Sequence, residues 1–180
     1  MTDADDFEAF VRQYQDMVFA VAVRLLANPA EAEDVAQTVF LKAFERFDTL
    51  AESPAVAGWL RTVATNLSLN HLTRYRSRWR FFSEMGREDD ADDAPAPFEA
   101  RLEGHEAAPD QALDESQQQA QLEEALRDLP EHQRVPLVLF HFEERSYQEI
   151  ASLLRISLAK VKTDIHRARL ALRSHLEPQD

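Results

Sequence analysis

An all-α fold of two small helical domains joined by an acidic linker is predicted by three features of this chain. Its 180 residues include only three glycines, too few for the turn-dense architecture of sandwiches and barrels. Apolar side chains recur at spacings of three and four on both sides of the middle, the repeat of a helix with one buried face. The acidity is confined to that middle. Residues 1–80 carry 9 basic and 11 acidic side chains, residues 81–128 carry 3 and 15, and residues 129–180 carry 8 and 7. Net charges of −2, −12 and +1 thus make up the total of −13. The expected domains are residues 1–82 and 113–180, with residues 83–112 between them as linker.

Composition removes several function classes. With no cysteine, disulfides, thiolate metal sites and cysteine nucleophiles are excluded. The opening "MTDADDFEAF" is acidic where a secretory signal would be basic and then apolar. The longest apolar run, Met17 to Val23, has seven residues, against roughly 20 for a membrane span. A soluble cytoplasmic chain without membrane insertion is expected, and its ending at Asp180 predicts no appended sensory domain. No glycine-rich phosphate loop, HExxH or nucleophile elbow occurs, so no enzyme, no catalytic residue and no cofactor is expected. Glu31, Glu33 and Asp34 cluster where a helix begins, which suits the helix dipole better than a metal.

In the first domain, Phe7 to Leu26 reads as one helix. After "ANPAEAED", with Pro29 at a helix start, "DVAQTVFLKAFERF" reads as a second. Val56 to Arg76, preceded by Ser53 and Pro54, reads as a third. From Val56 to Arg80 there are five arginines and no acid, a local cationic patch hidden by the whole-chain charge. A basic helix with Trp59, Asn66, Asn70, His71 and Tyr75 suits unpaired DNA, whose exposed bases stack on aromatic rings and bond to amides. Trp59 taken alone reads as a core residue more than as a base-stacking one.

The linker, "SEMGREDDADDAPAPFEARLEGHEAAPD", combines prolines, glycines and an acidic block with few large apolar residues. It cannot bury enough surface to offset its ordering entropy. A flexible chain of this length spans on the order of 30 Å on average and roughly 100 Å when stretched. That reach lets two modules sit more than one DNA turn, about 34 Å, apart.

In the second domain, Ser146 and Glu149 form a capping box, each side chain satisfying the other's free backbone N–H. The helix it opens places Ile150, Ala151 and Leu154 on one side. Arg155 and Ile156 make a short turn, and Ser157 caps the next helix. There Leu158, Val161, Ile165, Ala168, Leu172 and Leu176 form one apolar stripe. Opposite it fall Lys160, Thr163 and Arg167, with His166 beside them and Lys162 and Arg169 near the stripe's edges. Helix, turn and cationic helix make a helix-turn-helix, whose second helix enters the major groove near its N-terminus. Lys160, Thr163 and Asp164 are the expected base readers, while Lys162, Arg167 and Arg169 hold phosphates. Asp164 has two readings: acceptor from a cytosine amino group, or intrahelical partner of Lys160 or Arg167.

Four stretches then carry a resemblance: "RLLANPAEAEDVAQTVFLKAF", "WLRTVATNLSLNHL", "LRDLPEHQRVPLVLFHFEERSYQEIASLL" and "VKTDIHRARLAL". Together they resemble bacterial RNA polymerase sigma factors of the extracytoplasmic-function group, over about 130 residues in the right order. The resemblance implies a region 2 helical bundle, then a region 4 helix-turn-helix. It implies that Asp34, Gln37, Phe40 and Lys42 dock on the clamp helices of the polymerase β′ subunit, with region 4 on the β flap. It implies that Leu50, Ser53, Trp59, Arg61, Asn66 and Asn70 hold the melted minus-ten element, while Arg74, Arg76 and Arg78 grip its backbone. The recognition helix would bind the minus-thirty-five element through Ser157, Lys160, Lys162, Thr163, Asp164, His166, Arg167 and Arg169. The acidic linker would thread the RNA channel, and an anti-sigma protein would be a further partner.

Departures from the family pattern fall at informative positions. Leu50, Ala51, Glu52 and Ser53 stand where Phe-Arg-Gly-Glu is usual, and Thr38 replaces a glutamate. Arg155 and Ala159 replace glycines, and Asp164 replaces an arginine. An intact fold with an altered promoter preference is the expectation, with strain at Arg155 if its φ is positive. A stand-alone helix-turn-helix regulator is the alternative function, but it leaves residues 29–75 without a role. An acidic helical interaction protein would leave both basic patches unexplained.

Overall fold

The computed structural model describes residues 3–83 and 112–177, and the side chains of residues 3–74 and 115–177. The expected linker, including its passage through an RNA channel, lies almost wholly outside the described residues. All regular structure among the described residues is helical, and the chain divides into two compact units. No described helix is long and apolar enough to cross a membrane.

The first unit holds α1 (Asp3–Leu26), α2 (Pro29–Phe44), α3 (Phe47–Leu50) and α4 (Val56–Ser83). Helix α1 starts four residues earlier than its apolar pattern indicates, with Asp3, Asp5 and Asp6 in the first turn, where carboxylates meet the positive end of the dipole. It stops at Ala27, whose φ of 54° is left-handed. Asn28 then caps α2, its side-chain oxygen accepting from the N–H groups of Ala30 at 3.0 Å and Glu31 at 3.3 Å. Pro29 follows at the first helical position, where no N–H is needed. This two-residue connection folds α2 back on α1. Val18, Val21, Ala22 and Leu25 of α1, Ala32, Val39 and Ala43 of α2, and Leu60 and Ala64 of α4 are fully buried between them. Phe7, Phe10, Tyr14, Phe40, Phe44 and Phe47 close one end of this core through edge-on and stacked ring contacts.

The short α3 is absent from the sequence reading, and it changes one expectation. Leu50 is buried rather than presented to DNA, because it ends α3 with only 8% of its surface exposed. It anchors the loop from beneath. The loop itself is held by Ser53, whose N–H donates to the Leu50 carbonyl at 3.0 Å and whose Oγ accepts from the Ala55 N–H at 3.3 Å.

The second unit holds α5 (Ala112–Asp128), α6 (Glu131–His141), α7 (Tyr147–Leu154) and α8 (Leu158–Leu176). Helix α8 packs against each of the other three. Leu126, Val135, Leu137, Val138, Leu139, Ile150, Val161, Ile165 and Ala168 form the core. Arg134 is buried among them, donating from Nη1 to the Leu129 carbonyl at 2.9 Å and so fixing the turn between α5 and α6. The stripe on α8 is shorter than the sequence indicates. Leu158 and Leu176 at its ends remain 38% and 43% exposed.

Candidate nucleic-acid interface

Both caps that shape the helix-turn-helix are formed. The Ser146 N–H donates to Glu149 Oε2 at 2.9 Å, and the Glu149 N–H donates to Ser146 Oγ at 3.2 Å. Helix α7 ends at Arg155, left-handed at φ 55° and ψ 46°, with its N–H returned to the Ala151 carbonyl. Ser157 then caps α8, accepting the Lys160 N–H at 3.1 Å. Three residues thus link the two helices, and Leu158, Ala159 and Lys160 in the first turn of α8 are exposed.

On α8, Lys162 and Arg167 are exposed, and Thr163 and His166 are half-buried beside them. Asp164 is a correction to the expected face. It is 2% exposed, on the core side next to Val161, Ile165 and Ala168, so it cannot accept from a base edge. Its carboxylate accepts from Lys160 Nζ at 2.9 Å, which is the intrahelical reading. Arg169 is half-buried and tied into the fold. Its Nε donates to His141 Nε2 at 3.2 Å, and its guanidinium lies 5.5 Å from the Phe140 ring centroid. Phe140 in turn stacks on Tyr147 at 4.7 Å. Arg169 therefore fastens α8 to α6 through Nε and its guanidinium face. Burial, and then the nearby Arg169, hold the His141 pKa below its usual value, which keeps Nε2 an acceptor.

In the first unit, Asn66 and Asn70 lie one turn apart on the exposed face of α4, followed by exposed Arg74. Trp59 and Arg61 are half-buried on the same helix, as is Ser53 before it. Arg76 and Arg78 fall within α4, but their side chains lie outside the described residues. On α2, Asp34, Gln37 and Lys42 are exposed, whereas Phe40 is half-buried and meets Phe10 edge-on at 6.4 Å. Sequence reasoning missed Leu41 and Phe44, which are 66% and 60% exposed. Leu41 continues the face of Asp34 and Gln37. The available signal was register: Leu41 and Phe44 fall off the Val35, Val39, Ala43 spacing that marks the buried side of α2.

Residues 10–80 match the family model of Sigma-70 region 2, and residues 119–172 that of Sigma-70 region 4. The RNA polymerase sigma-H factor of Pseudomonas aeruginosa is 30% identical over 98% of this chain and 89% of its own length. The ECF RNA polymerase sigma factor SigW of Bacillus subtilis is 29% identical over 97% of this chain and 90% of its own. This chain belongs to the extracytoplasmic-function sigma factors. SigE of Mycolicibacterium smegmatis, of the same group, is 34% identical over 94% of this sigma factor and 61% of its own length. The solved structure of the sigma factor RpoE with the anti-sigma factor NepR from Bartonella quintana aligns at a TM-score of 0.49 and 21% identity, covering 97% of this chain and 99% of that one. As a sigma factor this protein is a transcription initiation factor rather than a stand-alone regulator. Its region 2 spans Phe10 through most of α4, and its region 4 runs from within α5 to Leu172 of α8. The acidic segment falls between the two matches.

Proposed function

We propose that this sigma factor, working with core RNA polymerase in the bacterial cytoplasm, divides promoter recognition between its two units without any covalent step. Residues 1–82 serve core docking and the minus-ten element, and residues 113–180 the minus-thirty-five element, with the acidic segment between. The exposed face of α2 docks on the β′ clamp helices through Asp34, Gln37 and Lys42, with Leu41 and Phe44 supplying apolar area. Phe40 supports that face from behind. On α4, Asn66 and Asn70 bond to unpaired bases of the minus-ten element, Trp59, Arg61 and Ser53 border them, and Arg74, Arg76 and Arg78 follow the backbone.

In the second unit the first turns of α8 enter the major groove. Ser157, Lys160, Thr163 and His166 face base edges, and Lys162 and Arg167 meet phosphates. The β flap is the docking partner of this unit, and an anti-sigma protein would act by covering the same surfaces. The observation that carries the reading is the capped helix-turn-helix whose second helix buries one face and leaves Lys162, Thr163 and Arg167 on the other.

Run-off transcription with reconstituted core polymerase and selected promoters tests it. The holoenzyme should initiate at one class of sequence, while the free chain binds the same duplex weakly, because its −12 segment competes for the cationic faces. A chain that footprints duplex tightly by itself and fails to associate with core polymerase would overturn the reading.

A further inference from the structure

Lys160 is held at both ends. Its backbone N–H is bound by the Ser157 hydroxyl at 3.1 Å, and its ammonium by Asp164 Oδ2 at 2.9 Å. The two side chains differ in setting: that of Lys160 is 49% exposed and that of Asp164 only 3%. A surface ion pair of this spacing is weak and easily exchanged for water. A carboxylate taken out of water is different, because it has few other ways to be satisfied. Among the described residues Lys160 is its hydrogen-bond donor, so the burial of Asp164 is what keeps the ammonium in place.

We propose that Asp164 is a positioning residue for promoter reading: its buried carboxylate pins the Lys160 ammonium as a base-edge donor aimed at guanine and withholds it from phosphate. The proposal rests on the reading that α8 enters the duplex. An unrestrained lysine is a flexible point charge that readily finds the phosphate backbone. Pinned beside a carboxylate, the pair is close to neutral, so it attracts phosphate little and displaces few counterions. One of the ammonium's three N–H donors is spent on Asp164, and two remain. Guanine offers two neighbouring acceptors, O6 and N7, on its major-groove edge. Asp164 thus converts a nonspecific cation into a fixed donor without itself reaching the DNA.

The test uses full-length chains in holoenzyme, with a library of upstream promoter duplexes and a salt titration. The substitutions are Asp164→Asn, Lys160→Gln, their double, and Lys162→Gln. Unsubstituted holoenzyme should favour a guanine at one upstream position by about tenfold. Asp164→Asn and Lys160→Gln should each erase that preference, and the double should erase no more than either alone. The slope of log affinity against log salt should steepen by about one in Asp164→Asn, which frees the ammonium for phosphate. It should stay unchanged in Lys160→Gln and become shallower by about one in Lys162→Gln.

Uniform weakening by Asp164→Asn at every position with an unchanged slope would overturn the proposal, leaving Asp164 a packing residue. If Asp164→Asn does not fold, the two lysine substitutions decide alone: equal changes of slope would show Lys160 to be a phosphate ligand. Failure of the underlying reading looks different, with no upstream base preference in unsubstituted holoenzyme and no slope change in Lys162→Gln.

Discussion

Two basic side chains, Arg134 and His141, carry more of the second unit's stability than their charge suggests. Arg134 is 6% exposed, and burial lowers its pKa against the opposing pull of Glu131. Replacing it by alanine opens a cavity and leaves the Leu129 carbonyl without this donor, a loss of about 2–4 kcal/mol to be read from urea unfolding. His141 works in the opposite sense, as an acceptor that must stay neutral. Its folded pKa lies below the ordinary 6.5, so below that pH the unfolded chain binds the proton more readily than the folded one. The stabilisation is whole above about pH 6.5 and is lost as pH falls from there through the lower folded value. His141→Gln, which can still accept from Arg169, should narrow the difference between unfolding midpoints at pH 7.5 and 5.5; an unchanged difference would remove His141 as its source.

Among the elements, those closed by local bonds were legible in the sequence. The caps at Ser146 and Ser157 depend on a side chain reaching a backbone N–H three residues away, and a sequence records that spacing. The left-handed φ of Arg155 was flagged only through the resemblance, because it stands where the family usually has glycine. Restoring glycine there should raise stability by about 0.5–1 kcal/mol, the backbone strain removed less the added freedom of the unfolded chain. Ser146→Ala should cost about 1 kcal/mol, and thermal unfolding of the two variants checks both. What escaped the sequence depends on tertiary packing. Leu50 reads as loop until α3, which it ends, turns it inward. Asp164 sits about 60° around the helix from Val161 at 100° per residue, on the margin where only the neighbouring helices decide whether it is buried.

At the scale of the whole molecule, the charge that looks contradictory in total becomes orderly once divided. A net −13 would repel DNA if spread evenly, yet the cations concentrate on α4 and α8 while residues 81–128 carry 15 acids against 3 bases. The family's order of elements was legible because it is written in linear sequence. The proposed docking face of α2 was only half legible, because Leu41 and Phe44 look like core residues until the helix's buried side is known. Since Leu41 is two-thirds exposed, Leu41→Asp should change unfolding free energy by no more than about 0.5 kcal/mol. The central claim is that docking on the clamp helices and upstream reading reside on separate units. Affinity for core polymerase and affinity for upstream promoter duplex, measured together for Leu41→Asp and Lys162→Gln, address it most directly. Leu41→Asp should lose core affinity, whereas Lys162→Gln should keep it and lose promoter binding; proportional loss of both activities in either variant would contradict the division.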